Sequence, residues 1–390
     1  MRISDASRRR FLAAGLAFPA TGLASTQSAQ NASKQGAKAA SSAADKVAYR
    51  TLGKSGLKVT AVGFGCMITS DSTVISRAVD MGITYFDTAR GYQSGNNERM
   101  VGSCLKGARH KVVLSSKSDA RTPSDAVRHL ETSLRELGTD YLDIWYMHAR
   151  DKPENIPDEL VKTWEDARKQ GKIRHIGVST HYPNVVADRV LQAGVFEVVL
   201  STYNFMVGAQ NDASYERMNK AGIGLVAMKV MAPAARVYGF PADQSNRIGR
   251  AGGGLAALKW ALRSPYFSTT IPSMVDNDQL EENFRAMSEP FGTQDEKTLA
   301  GIRDQVRPLY CRMCRQCDGQ CPNGVAVPET LRHLAYADFY GQFALGREHF
   351  LALPAEARAT RCAECDSCSV RCPNGVRVGE RLGLARDLFA

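Results

Sequence analysis

The cysteines are the residues whose spacing most clearly could do chemistry. Eight of the ten fall in two copies of Cys-x2-Cys-x2-Cys-x3-Cys-Pro-Asn-Gly-Val, which begin at Cys311 and Cys362. Three thiols within seven residues can converge on one cubane, and a fourth thiol just before a proline can reach a second one. The spacing therefore predicts two 4Fe–4S clusters.

Two other uses of these thiols stay open. Zinc ribbons pair two Cys-x2-Cys knuckles across a longer gap, which differs from three cysteines followed by x3-Cys-Pro. Disulfides would not require a fixed spacing at all. Both explain the repeat less well than iron–sulfur clusters do.

The repeat resembles the motif of bacterial dicluster ferredoxins. That resemblance implies that each copy gives three ligands to one cluster and its fourth ligand to the other. The implied ligand sets are Cys311, Cys314, Cys317 and Cys372 for one cluster, and Cys362, Cys365, Cys368 and Cys321 for the other. Residues 322–361 make a longer gap than a compact ferredoxin has, and their pattern predicts helices over 328–340 and 342–351. A small, mainly helical ferredoxin-type domain is therefore expected over residues 307–390.

The N-terminus predicts export. Ser7-Arg8-Arg9-Arg10-Phe11-Leu12 precedes a short, mildly apolar stretch up to Ala24, which is the pattern of a twin-arginine signal. A basic tail and a membrane anchor are the alternatives, but Pro19 interrupts the stretch, which is too short to span a bilayer. Residues 25–46 are rich in Ser, Ala, Gln and Lys and are expected to be a linker.

Export by this route also suits the cysteine repeat. Twin-arginine machinery moves folded proteins, and iron–sulfur clusters must be built inside the cell. We therefore expect the twin-arginine export machinery as a partner and a periplasmic or otherwise exported location.

The overall composition is that of a soluble protein. Apolar residues make up 44% and charged residues 23% of the chain. The net charge of +10 includes no basic run interleaved with aromatic residues, which argues against a nucleic-acid partner. From Arg307 onward the chain has arginine but no lysine, and these arginines could offset the negative charge of oxidised clusters.

The elements that must position any catalytic residues lie in residues 47–306. A hairpin is expected at 49–59. Eight short apolar runs then alternate with stretches of helical period. The runs are 59–65, 83–89, 112–117, 141–148, 173–180, 196–202, 223–230 and 267–274. The helical stretches are 71–81, 97–106, 123–137, 156–169, 184–193, 211–220, 251–264 and 278–288.

Eight buried strands, each followed by a helix, predict an α/β fold of the TIM (β/α)8 barrel type. An open doubly wound sheet is the alternative, but no Gly-x-Gly-x-x-Gly follows the first strand. A last helix at 293–305 would lead into the cysteine module. The expected order is a signal and linker over 1–46, the barrel over 47–306 and the iron–sulfur domain over 307–390.

Four ionisable side chains stand at the predicted carboxyl ends of neighbouring strands, where the active sites of such barrels lie. Asp87 lies at the end of the second run, with Tyr92 five residues on, while Lys117 ends the third run and His148 the fourth. Each one alone has a plainer explanation as a helix cap, a surface charge or a packed aromatic. Together at one barrel mouth, they predict a catalytic site.

At these residues the sequence resembles the aldo-keto reductase family. Asp87-Thr88-Ala89 with Tyr92 matches its Asp-Thr-Ala-x-x-Tyr motif, and further matches follow in the family's order over residues 48–290. They are Gly56-Leu57-Lys58-Val59, Gly65-Cys66-Met67, Asn97-Glu98, Lys117, His148, Gly177-Val178-Ser179, Tyr203-Asn204 and Ile271-Pro272. The resemblance implies an oxidoreductase that interconverts a carbonyl and an alcohol.

The resemblance also implies a role for each member of the tetrad. Hydride reduction of a carbonyl needs a proton donor to the developing alkoxide, and Tyr92 would be that donor, or the base in oxidation. A free phenol titrates at about pH 10, and Lys117, held by Asp87, would favour the phenolate. His148 would orient the substrate oxygen or assist proton transfer.

The positions implied for the nicotinamide match the family only in part. Ser179 is retained, but Thr180 stands in place of an Asn and Leu200 in place of a Gln. Met228 replaces the aromatic that stacks on the nicotinamide, and Lys229 follows it.

The implied adenine side is better preserved. Glu282 and Asn283 match the adenine contacts. Ser273 and Gln279 stand where a cation would bind a 2′-phosphate, which argues against a preference for NADP. NAD(P) is therefore a candidate cofactor.

These features predict an exported oxidoreductase that acts on a small-molecule carbonyl or alcohol, with clusters that transfer electrons. A redox partner protein would meet the chain at the iron–sulfur domain. The alternative is an electron-transfer or binding protein whose barrel is a non-catalytic scaffold. The altered nucleotide positions favour that alternative, and the intact tetrad opposes it.

Overall fold

The computed structural model of the chain describes residues 47–234 and 252–390. The expected signal and linker over 1–46 lie outside these ranges, and so does residue 251 at the start of one predicted helix. Within the described ranges, every helix is too short or too polar to cross a membrane.

The strands follow the apolar runs closely. In the described ranges they are β1 (Tyr49–Thr51), β2 (Lys58–Thr60), β3 (Phe64–Gly65), β4 (Tyr85–Asp87), β5 (Val113–Ser118), β6 (Leu142–Met147), β7 (Ile173–Thr180), β8 (Val198–Thr202), β9 (Gly224–Met228) and β10 (Phe267–Thr270). Apolar runs of this length between turn residues form buried parallel strands because both of their faces are covered.

The helices occupy the amphipathic stretches between the strands and then continue into the cysteine module. Within the same ranges they are α1 (Ser72–Asp80), α2 (Asn96–Leu105), α3 (Pro123–Leu137), α4 (Asp158–Lys169), α5 (Pro183–Ala193), α6 (Asp212–Lys220), α7 (Gly253–Leu262), α8 (Asn277–Arg285), α9 (Thr293–Val306), α10 (Val327–Asp338), α11 (Phe343–Leu351) and α12 (Val378–Phe389). Several begin at side-chain caps, such as Asp71, Thr122 and Asp276.

Strands β3 to β10 form one parallel sheet in chain order. Two isolated parallel bridges, Val62 with Thr270 and Gly65 with Ser273, bring the first strand against the last. The sheet is therefore a nearly closed barrel with helices outside it. The prediction of a TIM barrel is confirmed, and the open doubly wound sheet is excluded.

The first apolar run does not form one strand as predicted. Residues Lys58–Thr60 pair antiparallel with β1, whereas only Phe64–Gly65 enter the barrel. The first part of the run pairs within the hairpin, because Leu52 and Val59 are fully buried at the inner face of the hairpin. The same hairpin reaches the start of β9, where a Cβ on Gly53, whose φ is +52°, would collide with the backbone of Gly224.

The cysteine module is helical, as expected, and α9 ends at Val306, directly before it. One apolar cluster joins the two parts: Phe205 and Met206 after β8, and Leu299 of α9, pack with Tyr310 and Phe339. The barrel and the module lie in one compact unit. The module is thus packed on the barrel and can contribute to its active-site end.

Candidate active site and cysteine groups

The four predicted catalytic residues meet at one end of the barrel. Asp87 ends β4, Lys117 is the penultimate residue of β5, and His148 directly follows β6. In-register pairing of these neighbouring parallel strands brings their carboxyl ends to the same rim. The structure therefore brings together the four side chains that the sequence separates by up to sixty residues.

Lys117 is the central member of this group. Its Nζ contacts the Asp87 carboxylate, donates to the Thr88 carbonyl at 2.8 Å and donates to the Tyr92 hydroxyl at 3.2 Å. Asp87 also accepts a 2.8 Å hydrogen bond from the Ser115 hydroxyl, which fixes the carboxylate. A buried cation is thus held between a buried carboxylate and the phenol.

Tyr92 is positioned by a short loop with an unusual backbone. The two residues after it, Gln93 and Ser94, have φ values of +50° and +54°, a region that favours glycine. Gln93 Nε2 donates to the Thr69 carbonyl at 2.7 Å, which offsets part of that strain. An ion pair between Arg90 and the buried Glu98 closes the loop behind Tyr92.

Burial dominates the electrostatics of Tyr92. Burial raises the pKa of the Tyr92 phenol to about 12, although the neighbouring Lys117 ammonium acts in the opposite direction. This differs from the expectation that Lys117 would favour the phenolate, because desolvation of the phenol outweighs the cation. Tyr92 is therefore protonated at neutral pH.

The pKa values of Lys117 and His148 are also shifted. Burial lowers the pKa of Lys117, but the charge of Asp87 outweighs it and leaves that pKa above its ordinary value. Burial and the Lys117 charge hold the pKa of His148 well below its ordinary value. The imidazole ring lies edge-on to Tyr92, with 6.0 Å between ring centroids. The site thus contains a neutral imidazole, a cationic lysine and a neutral phenol.

The nicotinamide positions are already engaged by protein groups. Ser179 Oγ accepts a 2.8 Å hydrogen bond from the Ala149 amide. Thr180 Oγ1 contacts Asp151 at 3.3 Å and accepts from the Tyr182 amide at 3.0 Å. Lys229 Nζ lies 4.4 Å from the centroid of the Tyr336 ring, which belongs to the module. These residues do not fit a nicotinamide ring, since their polar groups and the space beside Lys229 are used by the protein.

The adenine positions behave differently. Both amide atoms of Asn283 are buried without a hydrogen-bond partner among the described residues. Gln279 is occupied, because its side chain accepts from the Val275 amide and donates to Asp276. Ser273 and Glu282 are partly exposed. The orphaned amide of Asn283 fits a nucleotide base, whereas the nicotinamide half does not fit.

The eight predicted cluster ligands form two groups of four. Burial raises the pKa of the Cys311 thiol to about 12, with further contributions from the charges of three neighbouring thiols, Cys317, Cys314 and Cys372. The corresponding neighbours of Cys362 are Cys321, Cys368 and Cys365, and its pKa lies at about 11. We call these sets the inner group and the outer group. Each contains one thiol from the other copy of the motif, which is the exchange that the ferredoxin resemblance implies.

Amide groups of the two copies also cross over. Asn323 Nδ2, in the first copy, lies 3.0 Å from Cys365 Sγ, and Asn374 Nδ2, in the second, lies 3.4 Å from Cys314 Sγ. The Met313 amide donates to Cys311 Sγ at 3.4 Å. Donors aimed at sulfur stabilise thiolates that bind iron.

The donor set fits iron–sulfur clusters. All ten cysteines are free thiols in the described residues. In those residues no three His, Cys, Asp or Glu side chains are placed so that they could bind one metal ion together. A cubane needs no such point, because its thiolates bind different irons. Thiols spread around a shared volume are what a cluster requires, and their role as ligands stays a prediction.

The inner group lies against the barrel. Tyr310, which directly precedes Cys311, accepts a 3.0 Å hydrogen bond from Asn204 Nδ2 after β8. Cys311 lies close enough to Tyr182 for its charge to raise the pKa of that phenol. The outer group is nearer to solvent, since Cys365 is exposed.

Comparison with known proteins agrees with this architecture. The aldo/keto reductase family model matches residues 69–246, and a 4Fe-4S dicluster domain matches residues 310–376. L-galactose dehydrogenase of Arabidopsis thaliana is 26% identical over 310 residues, covering 68% of this chain and 96% of that protein. The oxidoreductase YqkF of Bacillus subtilis is 32% identical over 168 residues, covering 39% of this chain and 55% of the relative.

A solved structure shows the same barrel. An aldo/keto reductase from Klebsiella pneumoniae, in complex with NADP and acetate, is 25% identical with a TM-score of 0.55, covering 66% of this chain and 94% of that one. Barrel and site thus define an oxidoreductase of the (β/α)8 class. More particularly, the chain carries an aldo/keto reductase domain followed by a 4Fe-4S dicluster domain.

Several residues at the barrel mouth escaped the sequence argument. They are Asp151, His181, Tyr182, Tyr310, Arg332 and Tyr336. Arg332 and Tyr336 lie four residues apart on α10 and so share one helix face. The i, i+4 spacing of this polar pair was the available signal, but it does not indicate which surface the helix covers.

Proposed function

We propose that the barrel interconverts a hydroxyl and a carbonyl group on a small molecule, with Tyr92 as the acid–base group. The observation that carries this proposal is the Lys117 ammonium, held between Asp87 and the Tyr92 hydroxyl at 3.2 Å. A buried cation beside a phenol stabilises the phenolate that forms when the proton leaves. This is the geometry expected of a tyrosine proton donor.

In the reductive direction, Tyr92 starts protonated, because burial holds its pKa at about 12. It donates its proton to the carbonyl oxygen, and Lys117 balances the resulting negative charge. His148, neutral at its lowered pKa, can share a hydrogen bond with the same oxygen. In oxidation the same groups act in reverse.

We further propose that electrons enter and leave through two clusters held by the inner and outer groups. Such clusters accept or donate one electron each. The contacts of Tyr182 and Tyr310 beside Cys311 support exchange between the inner group and the barrel. The exposed Cys365 in the outer group supports a redox partner protein at that end.

No step is assigned to a nicotinamide. Relatives of this fold bind NADP, as the Klebsiella pneumoniae complex states. In this chain the orphaned Asn283 amide favours a nucleotide base, while the groups around Ser179, Thr180 and Lys229 are engaged elsewhere. An adenine nucleotide at this site would therefore bind through its base.

Export through the twin-arginine route remains part of the proposal. It rests on Arg8 and Arg9 within the N-terminal pattern. Replacing both by lysine should leave the protein in the cytoplasm, as measured by cell fractionation. Unchanged export would contradict the assignment.

The main test uses protein purified without oxygen. Iron and sulfide analysis, with mass spectrometry of released small molecules, reports the clusters and any bound nucleotide. L-galactose, the substrate in the name of the Arabidopsis relative, is then added to the oxidised protein, and cluster absorbance is followed. DL-glyceraldehyde is added in parallel to protein whose clusters have been reduced with dithionite.

Tyr92→Phe is the decisive variant, and Tyr49→Phe, which removes an exposed hydroxyl, is its matched control. We expect Tyr92→Phe to lower turnover by about 10²-fold or more and Tyr49→Phe to leave it unchanged. Equal turnover in Tyr92→Phe and wild type would favour a non-catalytic scaffold.

A further inference from the structure

A buried arginine of the module has a donor that no other group uses. Arg332 lies on α10 and is 9% exposed. One terminal nitrogen of its guanidinium, Nη2, is 3.0 Å from His333 Nε2. Its Nε is buried without a hydrogen-bond partner among the described residues. A buried cation with an unused donor is costly, so this position is suited to an anion that arrives from outside the chain.

The two acids closest in effect to Arg332 are engaged by other residues. Burial lowers the pKa of Arg332, whereas the carboxylates of Asp151 and Glu329 raise it. Asp151 accepts a 2.7 Å hydrogen bond from the His181 amide and lies 3.0 Å from His181 Nδ1. Glu329 accepts a 2.7 Å hydrogen bond from Arg315. Within residues 47–234 and 252–390, neither acid forms an ion pair with Arg332.

A lysine of the barrel lies beside the same helix. Lys229 directly follows β9, and its Nζ is 4.4 Å from the centroid of the Tyr336 ring and 4.6 Å from that of Tyr340. Its φ of +59° is uncommon for a lysine, and its carbonyl accepts a 3.2 Å hydrogen bond from Asn204 Nδ2. Lys229 is half-buried. The two rings therefore leave part of this side chain open to a ligand.

The two cations flank Tyr336. Arg332 precedes Tyr336 by four residues on α10, which places both on one helix face, and Lys229 lies over the ring. Burial raises the pKa of Tyr336, but Lys229 and Arg332 outweigh it and lower that pKa below its ordinary value. Asp151 is the carboxylate that opposes them. Two cations thus face one carboxylate, which leaves an excess of one positive charge.

These cations adjoin the segment that carries the tetrad histidine. His148 directly follows β6, and the next residues run along the end of β7. The Arg150 amide donates to the Ser179 carbonyl at 2.7 Å. Two residues beyond Ser179, His181 Nε2 is 3.4 Å from the Tyr336 hydroxyl. The cation pair and the tetrad therefore lie on neighbouring segments of one barrel rim.

We propose that Lys229 and Arg332 bind a carboxylate, so that the substrate is a small hydroxy acid or oxo acid. This inference rests on the proposed function. A guanidinium presents a planar fork of donors that matches a carboxylate, and an ammonium adds a point charge. A carboxylate also carries the single negative charge that balances the excess, whereas a phosphate ester carries about −1.5 to −2.

The two halves of this site come from different parts of the chain. Lys229 belongs to the barrel and Arg332 to the module. The module would thereby select the substrate by its carboxylate, while the tetrad of the barrel acts on the hydroxyl or carbonyl group. A substrate without the carboxylate would leave the excess charge unbalanced.

The first experiment measures binding, which does not require turnover. Anaerobic equilibrium dialysis of the holoprotein compares glycolate, 4-hydroxybutyrate and 6-hydroxyhexanoate with ethylene glycol, 1,4-butanediol and 1,6-hexanediol. Each acid differs from the diol of equal carbon number only in its carboxylate. We expect at least one acid to bind about 10-fold or more tightly than its diol, since a charged hydrogen-bonded pair is added. Equal or undetectable binding of every acid and its diol would overturn the inference.

The second experiment removes the cations one at a time. Arg332→Gln should lower the affinity for the preferred acid by about 10-fold or more and leave that for its diol unchanged. Arg347→Gln, at an exposed position of α11, is the matched control and should change neither. Because Arg332 is buried, Lys229→Met at a half-buried site provides a second variant with the same expectation. A preference for the acid that survives in both variants would overturn the inference.

Iron analysis separates this role from a second one, in which Arg332 offsets the charge of the inner group. Burial raises the pKa of Tyr182, and the charges of Arg332 and Cys311 both act on it, so this tyrosine would link the two. Loss of iron in Arg332→Gln with an unchanged preference for the acid would overturn the inference.

The inference and the proposed function fail in different ways. Turnover of the diols that depends on Tyr92, without any preference for the acids, would overturn the inference and keep the proposed function. Tighter binding of the acids without turnover of any alcohol or carbonyl would support the carboxylate site and contradict the proposed function.

Discussion

Lys117 links the carboxylate and the phenol of the tetrad at the residue scale. Its ammonium has three oxygen partners, from Asp87, Thr88 and Tyr92, and is 1% exposed. A buried ammonium with all of its donors used cannot rotate away from the phenol. In the proposed reaction, proton transfer by Tyr92 therefore depends on the Lys117 ammonium more than on the other charges nearby.

We predict that Lys117→Met abolishes most turnover. Without the ammonium, the phenolate of Tyr92 has no neighbouring cation, and the pKa of Tyr92 rises above its present value of about 12. The expected result is a fall in kcat of about 10²-fold or more, with a smaller change in KM, measured by steady-state kinetics. Lys111→Met, at an exposed position, is the control. A kcat equal to that of the control would contradict the role.

The tetrad could be predicted from sequence because its members end consecutive strands, and parallel strand ends meet at one rim. The net pKa of Tyr92 could not be predicted in the same way. It depends on how strongly the folded chain desolvates the phenol, which no local pattern of residues indicates. Tyr336 escaped for the same reason, since no local pattern tells which surface α10 covers.

At the scale of elements, α10 is a helix that joins the cysteine module to the barrel. All of its residues except Glu329 are buried, because it packs on the barrel at one side and against α11 and α12 at the other. Asp338, at its end, forms an ion pair with Arg381 of α12, and both side chains are nearly inaccessible. Burial raises the pKa of Asp338 to about 6 even with Arg381 present.

We predict that Arg381→Met strongly destabilises the module. It leaves the Asp338 carboxylate buried without its partner, which typically costs about 3–5 kcal/mol. The measurement is anaerobic urea unfolding, followed by loss of cluster absorbance. Arg386→Met removes a partly exposed arginine from the same helix and is the control. Equal midpoints for the two variants would show that the buried pair does not hold α12 on α10.

The stability of the junction should also depend on pH. Burial lowers the pKa of His181 and of His349 to about 4, and the pKa of His333 also lies far below its ordinary value. The unfolded chain takes up protons below about pH 6.5, whereas these folded-state histidines stay neutral until about pH 4. The free energy of unfolding is therefore highest above about pH 6.5 and falls as the pH drops toward about 4.

The expected measurement is the free energy of unfolding between about pH 7 and 5. His349→Gln should reduce its slope against pH by up to about one proton, because one neutral buried histidine is removed. His110→Gln, at an exposed site, is the matched control. Slopes that are identical in both variants would contradict the role of the junction histidines.

Most elements could be predicted because eight apolar runs of strand length alternate with helical periods. The exception is instructive: residues 59–65 were one run but divide between a hairpin and the barrel. The pattern of apolar and polar residues indicates which residues are buried. Both halves of this run are buried, so the pattern does not indicate which strand each half pairs with. The short turn at Tyr92–Gly95 has no periodic signal at all.

At the scale of the whole molecule, the exchanged thiols make a sharp prediction. Cys314→Ser with Cys372→Ser removes two ligands from the inner group only, although they lie in different copies. Cys314→Ser with Cys321→Ser removes one ligand from each group, although both lie in one copy. We expect the first pair to retain one intact cluster, with about four irons per chain, and the second to damage both. Iron analysis and electron paramagnetic resonance distinguish them, and the opposite result would mean that each copy binds its own cluster.

The outer group has one more consequence. Cys321 and Cys362 belong to it, and they bracket residues 322–361, which include α10 and Tyr336. Cys321 and Cys362 would hold a cluster there, which would fasten the two ends of this segment as a covalent cross-link does and would limit how far the helix can leave the barrel. Oxygen would reach this cluster first, because Cys365 is exposed, and loss of the cluster would remove that restraint. Oxidative damage to the module would then also loosen α10 from the end of the barrel against which it packs.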